Sequence, residues 1–291
     1  MKRGQAILTP KHHLSDINLL VTDIDGTLLD PQGQLTDITL NALYQCAKKG
    51  IHIVLATGRN LTITQTIATT LVEAIQTPIY LIVQDGALIL EFPSKQVLSY
   101  HNLSLSVAQK ARDQFRLAKQ SIMVFDPLPD GQGFLFCKYQ STSDGLEAYL
   151  GRKPGQYRHW PANKPLREAS SKIVTIDDQI RVEALRDQLQ TTVPEARTLC
   201  TEAVHLNAWF LEVGSLKAAK VQAVAALLAH LGLDWSTCIA VGDAENDIEM
   251  ITAAGLGLAM GNASARVKQC ADQVIGPNSQ SGLGQFLGQL F

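Results

Sequence analysis

The fold is decided by residues 19–30, which read LLVTDIDGTLLD. An apolar run ends there in two acids, Asp23 and Asp25, which are separated by one residue and followed by Gly26. A short apolar run bounded by polar turn residues is typical of a buried strand. In open α/β sheets, ligands bind outside the carboxyl ends of the strands. The two acids are therefore predicted to lie at a functional edge of such a sheet.

Two ordinary structures compete with a functional interpretation of this D-x-D-G stretch. A turn or a helix cap uses the same residue types. A calcium-binding EF-hand loop needs acids at positions one, three and five, Gly at six and Glu at twelve, whereas here Gly26 is fourth and Gln34 is twelfth. The calcium loop is excluded. A turn or helix cap remains an alternative when the motif is considered alone.

A second polar cluster follows the next predicted strand. Residues 55–60 read LATGRN, and they place Thr57 and Gly58 at the start of a predicted helix. Backbone N–H groups at a helix N-terminus favour anions. Capping explains this cluster equally well when it is considered alone.

A third cluster lies far along the chain, where residues 239–247 read IAVGDAEND. Another apolar strand ends there in acids, which are costly to crowd together without a cation or a solvated loop. Together, Asp23, Asp25 and Asp243 predict a hard oxygen site suited to Mg²⁺.

The pattern along the chain predicts a doubly wound, mainly parallel α/β sheet with an inserted α+β domain. Residues 1–86 and 208–291 alternate strands and helices and are predicted to form the Rossmann-like core. Residues 87–207 are richer in turn signals and are predicted to form the insert. The strand at 210–213 is assigned to the core sheet, and those at 88–91 and 96–100 to the insert. The predicted core helices are 36–49, with Thr36 as N-cap, 61–75, 217–231, 247–253 and one from about 281.

Composition excludes several classes of protein. The 291 residues are 46% hydrophobic and 18% charged, with a formal net charge of −2, so nucleic acid is not an expected partner. No apolar stretch approaches the roughly 18 residues of a transmembrane helix, and residues 1–16 lack the apolar core of a signal peptide. The five cysteines form no C-x-x-C pair, which argues against a disulfide framework or zinc site and favours reduced thiols in the cytoplasm.

In this order, the motifs resemble the haloacid dehalogenase-like hydrolase superfamily, and within it the Cof-type phosphatases with a class IIB cap. The matching motifs are DIDGTL at 23–28, ATGR at 56–59, Lys220, GD at 242–243 with Asn246 and Asp247, and GLAMGNA at 257–263. The resemblance spans almost the whole chain. It implies a haloacid dehalogenase-like core and a Mg²⁺-dependent phosphatase of small phosphomonoesters, such as sugar phosphates or phosphorylated cofactors.

By this resemblance, Asp23 is the nucleophile that forms an aspartyl-phosphate, and Asp25 is the general acid and base. The Asp23 carboxylate, the Asp25 backbone carbonyl and Asp243 are the implied Mg²⁺ ligands. Asp247 is assigned to polar support beside the metal.

The implied phosphate-binding residues are Thr57, Gly58 through its N–H, Lys220 and Asn246. Most lysines on helices are solvated. Lys220 is nevertheless favoured, because it lies on the predicted helix that leads into the Gly242-Asp243 strand. Lys217 is a less favoured substitute.

The chain departs from the family pattern at two positions. Val221 stands where Gly is common after the lysine, and Asp85-Gly86 stands where the family has Asn-Gly. The acid at Asp85 is expected to affect substrate preference or activity toward strongly anionic substrates.

The insert is expected to cover the active site and to select the leaving group. Its basic residues between Arg152 and Arg167 are interpreted as a solvated loop rather than a second anion site. His205 and Trp209 are interpreted as packing or hinge residues. Alternative functions are a phosphomutase or dedicated sugar-phosphate phosphatase with the same core, and a non-catalytic sensor of a phosphorylated metabolite.

Overall fold

The computed structural model describes residues 17–125, 133–140, 142–167, 169–203 and 206–291. These residues form two compact units. The first unit comprises the described residues up to Ala56, with Thr69–Leu81 and Val224–Phe291. The second comprises the described residues within Thr57–Ala68 and Ile82–Ala223. Residues 1–16, for which no signal peptide is predicted, lie outside the described part of the chain.

Two sheets organise the strands. The strands are β1 (Leu19–Thr22), β2 (His52–Ala56), β3 (Ile79–Val83), β4 (Leu88–Phe92), β5 (Val97–Tyr100), β6 (Ile122–Phe125), β7 (Phe134–Cys137), β8 (Tyr157–His159), β9 (Lys172–Asp177), β10 (Ala196–Ala203), β11 (Ala208–Ser215), β12 (Cys238–Gly242), β13 (Leu256–Ala259) and β14 (Gln273–Val274). The first sheet has the order β14-β13-β12-β1-β2-β3-β4-β5, and the second has the order β10-β11-β9-β6-β7-β8. The first is mainly parallel, as predicted, with β4 and β5 antiparallel.

The helices follow the predicted spacing closely. They are α1 (Asp37–Lys48), α2 (Leu61–Ile75), α3 (Leu105–Leu117), α4 (Asp144–Gly151), α5 (Gln179–Thr192), α6 (Lys220–Leu231), α7 (Ile248–Ala253), α8 (Ala265–Cys270) and α9 (Gly282–Leu290). The predicted N-cap of α1 is confirmed, because the Thr36 hydroxyl accepts a hydrogen bond from the Thr39 N–H at 3.3 Å.

Burial explains why the central strands are continuously apolar. All four residues of β1 are buried, and β1 pairs in parallel with both β2 and β12. A parallel strand covered on both faces has no solvent side that would select polar residues. In the pairing, Thr22 is opposite Leu55 on one side and Val241 on the other, so these strands end at a common edge.

The second sheet shows the alternation of a sheet with two different faces. Ile122 and Val124 of β6 belong to one apolar cluster, which includes Phe115 of α3. Met123 and Phe125, the residues between and after them, belong to a second cluster with residues of α4. Successive side chains of a strand point to opposite faces, so a single strand contributes to both clusters.

Two groups of predicted strands, three strands in all, are assigned to the wrong sheet. The strands predicted at 88–91 and 96–100 belong to the first sheet as β4 and β5, not to the separate sheet of the insert. The strand predicted at 210–213 belongs to β11, which pairs antiparallel with β9 and β10 in the second sheet. Local sequence identifies a strand in both cases, but the choice of partner depends on long-range pairing that periodicity does not encode. The domain boundaries predicted from the sequence, at 86/87 and 207/208, remain predictions and are not the bounds of the two compact units.

The cysteines and the apolar character of the helices complete the description of the fold. All five cysteines are free. Burial raises the pKa of Cys46 to about 12 and that of Cys238 to about 12, so these thiols stay protonated at neutral pH. Among the described residues, no helix has both the length and the apolar character needed to cross a membrane.

Candidate active site

The end of β1 places Asp23 at the carboxyl edge of the first sheet. Asp23 is 6% exposed, and its N–H donates to the carbonyl of Val241 in β12 at 3.0 Å. Asp243 follows Gly242, the last residue of β12. Because β1 and β12 are parallel neighbours, both acids leave their strands at the same edge.

Three carboxylates come together at this edge. Asp23, Asp243 and Asp247 each place one oxygen so that these oxygens lie within 4.8 Å of one another. Asp23 and Asp247 are buried, and Asp243 is half-buried. Crowded carboxylates repel each other unless a cation or a proton compensates them. Hard oxygen donors of this kind suit Mg²⁺, so the donor set fits the predicted metal.

Glycine is required twice to make room for this cluster. A Cβ on Gly26 would lie 2.2 Å from Oδ2 of Asp243, and φ of Gly26 is +75°, a left-handed conformation that favours glycine. A Cβ on Gly242 would lie 2.4 Å from the Cβ of Asp247. The glycines of the DIDG and GD motifs are therefore explained by the close approach of Asp243 and Asp247.

Hydrogen bonds orient Asp243. The Thr27 hydroxyl donates to its Oδ1 at 2.9 Å. The Asn262 side-chain amide donates to its Oδ2 at 3.4 Å and to the Gly26 carbonyl at 2.8 Å. Oδ2 of Asp247 accepts the N–H groups of Asp243 at 3.1 Å and Ala244 at 3.0 Å. Asp247 thus fixes the backbone from which Asp243 projects.

Thr27 and Asn262 are functional candidates that the sequence analysis did not select. Both lie inside motifs quoted for the resemblance, DIDGTL and GLAMGNA, but neither is singled out there. Their shared signal is a neutral hydrogen-bonding side chain immediately after a glycine, close to the end of a predicted strand. Such side chains orient a carboxylate without adding charge.

The remaining predicted residues are placed as follows. Asp25 is exposed and Asn246 is half-buried, and both belong to the first unit with the three carboxylates. Thr57, Gly58 and Lys220 belong to the second unit. Their predicted roles remain predictions.

Burial distinguishes the two candidate lysines. Lys220 is the first residue of α6 and is 2% exposed, so it is not the solvated helix lysine considered as an alternative. Lys217 is exposed. Among lysines, full burial is rare without compensating partners, which favours Lys220 as the functional residue.

The loop of residues 57–60 is held through three consecutive carbonyl groups. The Thr57 carbonyl accepts the N–H of Asp85 at 3.0 Å, and the Arg59 carbonyl accepts the N–H of Gln84 at 2.9 Å. Between them, the Gly58 carbonyl accepts a hydrogen bond from Nζ of Lys172 at 3.0 Å. The Thr57 hydroxyl also accepts the Arg59 N–H at 3.1 Å.

Lys172 belongs to a buried ionic cluster in the second unit. Its Nζ lies 2.7 Å from Oε2 of Glu212 and 3.3 Å from Oδ2 of Asp85. The acid at Asp85, which departs from the family's usual amide, is therefore paired with an ammonium group. Burial lowers the pKa of Lys172, but Glu212 and Asp85 outweigh that effect and raise it, so Lys172 stays charged.

The same cluster raises the pKa of Glu212 to about 7. Burial is the largest cause and the negative charge of Asp85 adds to it, while Lys172 opposes both. Tyr149 also interacts with this cluster, and burial raises its pKa, so it stays neutral across the physiological range. Two carboxylates thus share one ammonium group, and burial together with the charge of Asp85 makes Glu212 easier to protonate than an ordinary glutamate.

The basic residues between Arg152 and Arg167 line the outside of the second unit. Arg152, Arg158, His159, Lys164 and Arg167 are exposed, as expected of solvated side chains. They do not form one loop as predicted, because Arg152 caps the end of α4 and Arg158 and His159 belong to β8. Trp209 packs against the cluster around Phe115, as expected of a packing residue. His205 lies outside the described residues.

Comparison with known proteins decides the family. The family model described as haloacid dehalogenase-like hydrolase matches residues 20–287. The chain belongs to the haloacid dehalogenase-like hydrolases. The predicted family, fold and enzyme class, a hydrolase of this superfamily, are confirmed.

Two relatives and one solved structure illustrate how similar this chain is to other members of the family. An HMP-PP phosphatase of Cronobacter sakazakii is 31% identical over 83% of this chain and 83% of its own. The 5-amino-6-(5-phospho-D-ribitylamino)uracil phosphatase YcsE of Bacillus subtilis is 24% identical over 93% of this chain and 94% of its own. A sugar phosphatase of subclass IIB superposes with a TM-score of 0.74 at 18% identity, covering 94% of this chain and 98% of that one.

The contact between Gly26 and Asp243 leads to a prediction on metal binding. Gly26→Ala should abolish most of the rise in Tm that Mg²⁺ gives the wild type, because the new Cβ displaces Asp243. Gly33→Ala is the matched control, since Gly33 has φ of +78° but open space around its Cβ position. Both variants should lose about 1 kcal/mol from the left-handed backbone. An equal rise in Tm on addition of Mg²⁺ in the two variants would contradict the assignment of Asp243 as a Mg²⁺ ligand.

The raised pKa of Glu212 leads to a prediction on stability. A carboxyl group whose pKa is higher in the folded state than in the unfolded chain makes folding less favourable as the pH rises from the lower pKa to the higher one. For Glu212 the pKa is about 4.3 in the unfolded chain and about 7 in the folded protein. Glu212→Gln, which mimics the protonated group, should therefore raise Tm relative to the wild type more at pH 8 than at pH 5. The exposed Glu202→Gln serves as control and should show the same difference at both pH values. A change in Tm caused by Glu212→Gln that is the same at pH 5 and pH 8 would exclude a raised pKa for Glu212.

Proposed function

We propose that the protein is a Mg²⁺-dependent phosphatase that hydrolyses small phosphomonoesters through an aspartyl-phosphate intermediate. The observation that carries this proposal is the cluster of Asp23, Asp243 and Asp247, with Asp23 directly after β1, in a chain of this hydrolase family. The relatives named above as phosphatases act, by their names, on small phosphorylated compounds. Sugar phosphates and phosphorylated cofactors are the substrate classes we propose.

The chemistry is assigned to two carboxylates. Asp23 attacks phosphorus, an acyl-phosphate bond forms, and the bond to the leaving oxygen breaks while Asp25 gives that oxygen its proton. Asp25 then takes a proton from the water that attacks the aspartyl-phosphate, and inorganic phosphate leaves with Asp23 regenerated. The exposure of Asp25, two residues beyond Asp23, suits exchange of a proton with a leaving group and with water.

The metal ligands are assigned to the first unit. The Asp23 carboxylate, the Asp25 backbone carbonyl and Asp243 would hold Mg²⁺, and Asp247 orients the backbone of Asp243. When bound, the cation supplies positive charge that offsets the repulsion between the anionic nucleophile and the anionic substrate. Thr27 and Asn262 keep Asp243 in place through hydrogen bonds.

Thr57, Gly58, Lys220 and Asn246 are proposed to bind the phosphoryl oxygens. A hydroxyl, backbone N–H groups, an ammonium and an amide are the donor types that stabilise charge on a transferring phosphoryl group. The buried Lys220 is the strongest of them electrostatically, since a charge out of water interacts over a low effective dielectric constant. The second unit is proposed to select the leaving group, and the cytoplasm remains the predicted location.

Phosphate release from a panel of sugar phosphates and phosphorylated cofactors tests this function. Release should require Mg²⁺, stop with a chelator, and fall by about 10³-fold or more in Asp23→Asn, since removal of a nucleophile costs at least that much. Asp37→Asn is the control, because Asp37 is an exposed residue at the start of α1 and should leave activity unchanged.

Three outcomes would contradict the proposal. No release from any member of the panel would favour a phosphometabolite sensor. Transfer of the phosphoryl group to an added sugar in preference to water would favour a phosphomutase. Unchanged activity in Asp23→Asn would remove Asp23 from the nucleophile role.

A further inference from the structure

The three acceptors around Lys172 use all the hydrogen-bonding capacity of its ammonium group. Nζ binds Glu212, Asp85 and the Gly58 carbonyl at 2.7, 3.3 and 3.0 Å. A lysine ammonium has three N–H donors and no acceptor. The side chain is only 9% exposed, so the ammonium is fixed in direction rather than free to turn in solvent. A strand residue of the second sheet thereby holds one backbone carbonyl of the loop at 57–60.

The direction of these carbonyls determines the direction of the N–H groups in the same loop. The peptide bonds of residues 57–60 are trans, and in a trans peptide the C=O and N–H groups point in opposite directions. The carbonyls of Thr57, Gly58 and Arg59 face Asp85, Lys172 and Gln84. Each carbonyl shares its peptide bond with the N–H of the next residue, so the carbonyls of Thr57 and Arg59 direct the N–H groups of Gly58 and Asn60 away from that side. The Gly58 carbonyl, which Lys172 holds, directs the Arg59 N–H, and that N–H donates to the Thr57 hydroxyl at 3.1 Å. Gly58 N–H is the group proposed above to bind the phosphoryl oxygen.

The middle of the three carbonyls depends on a side chain, unlike its neighbours. Backbone N–H groups of residues 84 and 85 hold the carbonyls of Thr57 and Arg59. These two residues have φ of +53° and +56°, a left-handed conformation that is uncommon for residues other than glycine. Asp85 is also the residue whose carboxylate pairs with Lys172. Lys172 therefore secures the loop twice, directly at Gly58 and indirectly through Asp85.

We propose that Lys172, held by Asp85 and Glu212, is a positioning residue for the loop 57–60. It fixes the Thr57 hydroxyl through the Gly58–Arg59 peptide and the Gly58 N–H through Asp85, the two groups of this loop that are proposed to bind the phosphoryl group. The proposal rests on the proposed function, because that function assigns phosphate binding to this loop. It assigns a role to a residue that does not touch the reacting atoms. It also explains why an acid stands at position 85, since an aspartate pairs with a buried ammonium group more strongly than an asparagine does.

Lys172→Met and Lys172→Gln test the proposal with two measurements. Hydrogen exchange of a peptide that includes residues 57–60 reports the order of the loop, and binding of inorganic phosphate in the presence of Mg²⁺ reports its function. Lys172→Met, which removes all three donors, should speed exchange and weaken phosphate binding by about 10-fold or more, as displaced supporting groups typically do. Lys172→Gln keeps two N–H donors and should lie between Lys172→Met and the wild type. Lys138→Met, at an exposed position after β7, should match the wild type.

Unchanged phosphate binding and unchanged exchange in folded Lys172 variants would overturn the proposal. If Lys172→Met does not give a cooperative thermal transition, Lys172→Gln against the wild type decides. A loss of stability with normal phosphate affinity would show a structural role only, and would also overturn it.

The failure of this proposal is distinguishable from failure of the proposed function. A wild type that releases no phosphate from any substrate refutes the phosphatase, while exchange and phosphate binding still test Lys172. An active wild type with Lys172 variants of normal KM and normal phosphate affinity refutes the role of Lys172 alone.

Discussion

The repulsion among three carboxylates at the end of β1 and β12 is the constraint on which the rest of the structure depends. Parallel pairing of these strands brings Asp23 and Asp243 to one edge, and Asp247 joins them. Unit charges at such separations repel by roughly 3 to 4 kcal/mol per pair at the effective dielectric constant of a protein surface. Gly26 and Gly242 carry no side chain and so allow Asp243 and Asp247 to approach the backbone closely. The proposed Mg²⁺ would compensate this repulsion.

The second unit compensates its buried charges differently. There, one ammonium group faces two carboxylates, and burial and the second carboxylate raise the pKa of Glu212 to about 7. The resulting cluster connects strands β9 and β11 to the loop at 57–60. Charge compensation thus underlies both proposals, the Mg²⁺ site in the first unit and the positioning of the loop 57–60 by Lys172 in the second.

Much of the fold and of the acidic site could be predicted from the sequence because the deciding features are local. An apolar run that ends in an acid marks both the strand and its functional end, as at Asp23 and Asp243. The cap at Thr36 and the helix at 61–75 follow from short-range chemistry in the same way. The sheet assignment of residues 210–213 failed because the pairing partners of a strand are set by contacts distant in sequence.

The Lys172 cluster lay beyond sequence analysis for the same reason. Lys172 is 87 residues from Asp85 and 40 from Glu212, and each stands in an unremarkable local context. A lysine at the start of a strand is ordinarily solvated, so nothing local predicts its burial. Thr27 and Asn262 were overlooked because their neutral side chains become informative only when Asp243 is seen between them.

Crystals grown with Mn²⁺ in place of Mg²⁺ test whether the three carboxylates hold a cation, because the anomalous signal of manganese locates the ion without assumptions about activity. The account predicts a strong anomalous peak in contact with the carboxylates of Asp23 and Asp243, which disappears in Asp243→Asn crystals. No peak at this edge under saturating Mn²⁺, or a peak that persists unchanged in Asp243→Asn, would contradict it.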